Sequence, residues 1–187
     1  QRKRRNKKQL KMLLKRWQNK MEVFEKLLDP ELYAYFKNAT FYENPVFHTA
    51  HKMVDFYIEF ENVIPLEIYE QIITKLQLSL HAHVKLHMHT KNSVIEMDEL
   101  DRYVNYFVEK YSDVKDFRFL HPYLENDTIC FSTRDESRLA ALNLALPSLM
   151  EKLEDVGITQ EIVCKKVEDD IEIETAKVQV NAPVVKQ

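Results

Sequence analysis

The sequence predicts an α+β fold, a mixed sheet of about five strands with helices covering one face. Three observations carry that expectation. Val54, Phe56, Ile58 and Phe60 alternate with Asp55, Tyr57, Glu59 and Glu61, the period-two pattern of a strand with one buried and one wet face. After Pro65 the period changes: Leu66, Tyr69, Ile72, Ile73, Leu76 and Leu80 recur at helical spacing, and Val84, Leu86 and Met88 then restore alternation. The same strand-helix-strand succession returns later, with strands over Thr128 to Thr133 and Gln160 to Val167 around a helix over Glu136 to Val156.

In chain order, Leu10, Leu13, Leu14, Trp17, Met21, Phe24, Leu27 and Leu28 form an apolar stripe backed by lysines and arginines. This predicts an amphipathic helix, and residues 1–37 read as a basic helical arm. Asp29 followed by Pro30 is a helix start, so Glu31 to Lys37 should be a short second helix. Thr40 to Phe47 is an aromatic-rich strand whose Pro45 suits an edge position. Residues 38–168 form the α+β domain. Within it, a helix over Met97 to Tyr111 turns Leu100, Val104, Phe107 and Tyr111 inward, and an aromatic connector runs from Phe117 to Tyr123. Asp135 is placed to cap the long second-half helix, Pro147 to kink it, and Gly157, the only glycine, to end it in a left-handed turn. Residues 169–187 read as a flexible acidic linker. The pattern does not decide whether the two strand-helix-strand units share a sheet or form two small domains joined near Ser112 to Asn126.

Composition narrows the function classes. At 187 residues and 45% apolar content the chain can bury a full core, and no apolar run approaches the length that crosses a bilayer. With no secretory pattern at the N-terminus, the expected location is cytoplasmic. Cys130 and Cys164 lack metal or redox spacing and read as reduced thiols in or near the core. Of the 27 basic residues ten precede Glu22, which leaves 17 against 30 acidic and a balance of −13 for the rest. An acidic body repels phosphate, so nucleic-acid contact is expected only from the arm, through Arg2, Lys3, Arg4, Arg5, Lys7, Lys8, Lys11, Lys15 and Arg16.

Read as a unit, FYIEFENVIPLEIYEQIITKLQLSLHAHVKLHMH resembles the N-terminal, non-catalytic region of PolC-type DNA polymerase III alpha subunits. The matching features are the aromatic-alternating strand, the hydrophobic-Pro-x-x-hydrophobic-Tyr helix start and the following alternating strand, and a weaker likeness extends over roughly residues 8 to 168. The resemblance implies a segment of a larger replicase with DNA-directed DNA polymerase and 3′–5′ exonuclease activity. It also implies a type II KH-like topology, similar to the C-terminal domain of the clamp-loader tau subunit, and a role in docking the polymerase to tau.

The candidate chemistry is sparse. His81, His83, His87 and His89 fall within nine residues, and His83, His87 and His89 share a strand face with Lys85. Neither Cys, Asp nor Glu occurs from Gln71 through Lys91 to complete a metal cage, so a solvated or partner-contacting face is the reading, with no metal and no cofactor expected. His48 and His51 flank a turn and read the same way. Asp55, Glu59 and Glu61 read as solvated carboxylates on a wet strand face. One glycine excludes a Gly-rich phosphate loop and the GXXG grip of nucleic-acid-binding KH domains. No catalytic residues are expected. Contact with a protein partner is assigned to Trp17, Tyr57, Lys85, His87 and Tyr106, on a chain that is monomeric alone. The alternatives are a nucleic-acid-binding module using the basic arm and, last, a metal-dependent enzyme built on the histidine cluster.

Overall fold

The computed structural model describes residues 21–168, which divide into two compact units. The first gathers residues 21–99 and 152–159, the second residues 100–151 and 160–168. Six strands form two three-stranded sheets, β1-β2-β3 and β4-β5-β6. The single sheet of about five strands is thereby corrected: the strands of the two strand-helix-strand units lie in separate sheets. The division falls inside two helices, not in the aromatic connector.

In the first unit, α1 (Glu22–Leu27) and α2 (Pro30–Tyr33), extended by a 3₁₀ turn (Ala34–Phe36), precede β1 (Thr40–His48) and β2 (Met53–Asn62). α3 (Leu66–Leu80) then leads to β3 (His83–Asn92). β1 pairs antiparallel with β2 and β3 pairs parallel with it, so β2 is central. Its inward residues Val54, Phe56, Ile58 and Phe60 are fully buried. Aromatic rings fill the space above them: Phe24 stacks on Phe36 at 4.8 Å and meets Phe56 edge-on at 5.4 Å, while Phe36 meets Phe60 at 5.0 Å. Each such ring contributes about 1.5–3 kcal/mol by burial. Ile72, Leu76 and Leu80 of α3 complete the core, and Leu66, Tyr69 and Ile73 of the same stripe are half-buried.

Local chemistry sets the ends of these elements. Pro30 opens α2 after Asp29, whose carboxylate makes no cap and instead lies 3.8 Å from Lys75. Pro65 opens α3 without a side-chain cap. The Leu66 N–H donates instead to the Glu99 carboxylate at 2.6 Å, which places a negative charge at a helix N-terminus, where the dipole favours it. Pro45 lies in an edge strand with two register shifts, and both features discourage a further strand from pairing there.

The second unit repeats the topology. α4 (Met97–Lys110) and a 3₁₀ segment (Ser112–Phe117) precede a hairpin of β4 (Tyr123–Glu125) and β5 (Thr128–Thr133). Leu100, Val104 and Phe107 are buried as expected, but Tyr111 lies past the last helical turn and is exposed, which corrects its inward reading. α5 (Glu136–Glu154) carries the chain to β6 (Ile162–Lys166), parallel to β5. Asn126 and Asp127 both take positive φ, 50° and 63°, the backbone that a two-residue type I′ hairpin demands. Ile129, Cys130 and Phe131 are buried, and Phe117 meets Phe131 edge-on at 5.0 Å.

α5 starts and stops as its residues dictate. The Asp135 carboxylate accepts from the Ser137 N–H at 3.0 Å and from its hydroxyl at 2.9 Å. The helix runs through Pro147. At its end the Ile158 N–H reaches the Leu153 carbonyl and the Gly157 N–H the Glu154 carbonyl, both at 2.9 Å, with Gly157 at φ 83°. This pair of bonds is the Schellman arrangement. A Cβ on Gly157 would also overlap the Thr90 methyl. Cys130 and Cys164 are both free thiols, Cys130 buried and Cys164 half-buried. Among the described residues no helix is long and apolar enough to cross a membrane.

Candidate functional site: a histidine-clasped carboxylate on the first sheet

Period-two alternation sends the polar residues of β2 and β3 to the face opposite α3 and the aromatic core. Asp55, Tyr57 and Glu59 of β2 lie there in register with Lys85, His87 and His89 of β3. On one side Asp55 pairs with Val46 of β1, and two residues further along is His48; on the other it pairs with Lys85, and two residues further is His87. Such diagonal neighbours are within reach of long side chains. Both histidines lean onto Asp55: His48 Nε2 lies 2.7 Å from Oδ2 and His87 Nε2 2.8 Å from Oδ1.

A second carboxylate arrives from far along the chain. The segment after α5 runs beside β3, where the Met88 N–H donates to the Asp155 carbonyl at 2.9 Å and Met88 bridges Val156. This brings Asp155 Oδ1 within 2.7 Å of His87 Nδ1. With a carboxylate oxygen against each ring nitrogen, both nitrogens of His87 donate and the ring is an imidazolium. The hydrogen bond to Asp155 raises the His87 pKa, burial opposes it, and the bond to Asp55 raises it further. For Asp55, burial favours the neutral acid, yet the bonds from His87 and His48 prevail and hold the carboxyl below its ordinary value.

Tyrosines fasten the layer. Tyr42 sits at a register shift of β1, stacks on His89 with ring centroids 3.7 Å apart, and donates its hydroxyl to the His87 carbonyl at 3.2 Å. Tyr57 stacks on His87 at 4.7 Å and meets Tyr42 edge-on at 5.8 Å. Burial, then the charge of Asp155, pushes the Tyr42 hydroxyl up to about 12, so it serves as a neutral donor. Glu43, Lys85 and His89 remain exposed around this layer.

Of the residues that the sequence assigned to partner contact, the sheet brings Tyr57, Lys85 and His87 together on this face. Tyr106 belongs to the second unit, where it accepts a 3.1 Å hydrogen bond from Lys110 and lies edge-on to Phe107. Trp17 and the nine basic residues of the arm lie outside the described residues. The sequence reading of Asp55 as a solvated carboxylate is corrected: it is 8% exposed. The histidine run has carboxylate neighbours after all, but they come from the adjacent strand and from residue 155. A buried acid flanked by histidines two positions beyond its register partners was the signal, and only the register reveals it.

The arrangement holds charge in place. Both nitrogens of His87 and the facing nitrogen of His48 are committed to carboxylates, so none offers a lone pair to a metal. Among the described residues no three His, Cys, Asp or Glu side chains are grouped to hold a metal ion. Cys164 is no nucleophile, because burial lifts its thiol to about 11.

The family described as DNA polymerase III polC-type N-terminus I matches residues 21–90, a span that holds β1, β2, α3, β3 as far as Thr90, and all of the clasp except Asp155. No curated protein and no solved structure matches the chain significantly.

Proposed function

Through residues 21–90 the chain belongs to the PolC-type DNA polymerase III N-terminal family, which ties it to DNA replication, and from that premise we propose that it is a non-catalytic docking domain. It presents the Tyr–His–Asp face of the first sheet to another protein of the replication machinery, most specifically the clamp-loader tau subunit, in the cytoplasm. The observation that carries this reading is the buried Asp55 clasped by His48 and His87 beneath stacked tyrosines. A layer whose rotamers are already fixed loses little conformational entropy on binding, which favours recognition by shape and charge. The kinship with the KH-like domain of tau, expected over residues 38–168, remains part of this proposal.

Calorimetric titration of the whole chain with tau tests the proposal. Tyr57→Ala combined with His89→Ala should weaken binding at least tenfold, the scale of losing interface anchors, while the chain stays folded at the temperature of the titration. Absence of any heat with the unaltered chain at micromolar concentrations would remove tau as the partner. Binding that falls steeply with salt and vanishes when residues 1–20 are deleted would instead favour the basic arm as a nucleic-acid or polyanion contact.

A further inference from the structure

Outside the first sheet, one side chain stands in a position that ordinary folding does not favour. Phe119 follows the 3₁₀ segment of the second unit at φ 66°, in the left-handed region, and is 79% exposed. A bulky residue rarely enters this region, because its Cβ crowds the following carbonyl. Exposing a phenyl ring forfeits its burial as well. The backbone is nonetheless held by the Arg118 N–H on the Lys115 carbonyl at 3.0 Å and the Leu120 N–H on the Phe117 carbonyl at 3.1 Å.

Cations surround the ring. The Arg118 guanidinium lies over it, 5.0 Å from the centroid, and Arg138 reaches from α5 to donate to the Arg118 carbonyl at 3.3 Å. Among the described residues neither guanidinium forms an ion pair with a carboxylate. Asp135, whose carboxylate accepts from Ser137, also feels the charge of Arg138, while Asp101 pairs with His121 at 3.2 Å and Glu136 with Lys166 at 3.1 Å.

We propose that Phe119, Arg118 and Arg138 form a contact for single-stranded nucleic acid, with the ring stacking on one base and the guanidiniums taking the adjoining phosphates. An aromatic that anchors a protein interface stands in an apolar centre ringed by polar residues. Here the immediate neighbours along the chain, Arg118 and His121, are exposed and polar, and Leu120 is half-buried. A lone exposed ring beside two guanidiniums that form no ion pair among the described residues, on a body that is otherwise acidic, matches the pairing of stacking and charge by which proteins hold unpaired bases without reading sequence. All three residues belong to the second unit and none to the face proposed for tau, so the proposal stands or falls independently of tau docking.

Fluorescence anisotropy of the whole chain with labelled oligothymidylate and oligouridylate of about 12 nucleotides tests it. Phe119→Gly removes the ring and relieves the backbone at once, so it should fold as well as the parent or better while weakening binding about tenfold. Phe119→Trp should keep the affinity and add a fluorescence that the oligonucleotide quenches, which a merely structural role would not produce. Arg118→Gln and Arg138→Gln should each lower the slope of log affinity against log salt by about one. Equal affinity for the deoxy and ribo strands is expected from stacking and phosphate contact alone, whereas discrimination against one strand would overturn that assignment. If Phe119→Gly and the double arginine variant bind like the parent, the proposal fails. It fails equally if those variants lose tau binding and leave oligonucleotide binding untouched.

Discussion

The two sheets of this chain share one plan, an antiparallel pair followed by a parallel pair across a helix, yet they use their polar residues differently. In the second, polar groups are satisfied locally and near solvent: the Tyr123 hydroxyl meets the Ser132 hydroxyl at 2.5 Å, and Lys165 meets Glu125 at 3.1 Å with both side chains about half exposed. Exposed pairs of this kind contribute little. In the first, two histidines and two tyrosines are organised around a single buried carboxylate. Topology therefore does not distinguish the sheets; a handful of outward side chains does, and function is argued from them.

Packing should fail to tell the sheets apart, and that is the largest effect expected. Phe56→Ala and Phe131→Ala each remove a fully buried ring from a central strand and should each cost about 3–5 kcal/mol by denaturant unfolding. A loss below about 1 kcal/mol at either position would break the equivalence.

Charge should separate them. Asp55→Ala leaves the His87 imidazolium with one carboxylate and should cost about 2 kcal/mol near pH 6. The raised pKa of His87 means that its contribution is complete below the ordinary 6.5 and is lost as pH climbs through the raised value. The lowered pKa of Asp55 means that its contribution is present above 3.8 and is lost as pH falls through the lowered value. Stability of the parent should thus be greatest between about pH 4 and 6.5, and Asp55→Ala should flatten the profile. Glu125→Ala in the second sheet, which removes one exposed ion pair, should cost less than about 1 kcal/mol. Urea midpoints across that range check both.

Smaller effects sharpen the contrast. Gly157→Ala, which forces a side chain into positive φ against Thr90, should cost about 1–2 kcal/mol and loosen the segment that presents Asp155, seen as a fall in the His87 pKa by NMR. Tyr123→Phe in the second sheet, which removes the hydrogen bond to Ser132, should cost about 1 kcal/mol by urea unfolding.

What the sequence disclosed follows from the range of the forces involved. α3 keeps its expected bounds, Leu66–Leu80, because helical periodicity and Pro65 are local signals. Asp135 and Gly157 acted as read, since caps are satisfied within a few residues. β4 was taken for connector because three residues are too few for alternation to register, although Asn126-Asp127 carries the hairpin signal. The cap on α3 from Glu99 and the grip on Asp55 were hidden for a different reason. Each joins residues that only chain folding brings together, 33 apart for Leu66 and Glu99 and 32 apart for Asp55 and His87. Tyr57, Lys85 and His87 could be chosen because they alternate outward on adjacent strands. Their neighbour Asp55 was misjudged because nothing local distinguishes a solvated acid from one that two strands enclose.

The most direct test of the docking claim is backbone and histidine side-chain NMR of the whole chain during addition of tau. Perturbations should gather on Tyr42, Tyr57, Lys85, His87 and His89 and leave Tyr123, Ser132 and Lys165 of the second sheet unmoved. Saturating tau that leaves those five residues unshifted, or that shifts only the second sheet, would contradict it.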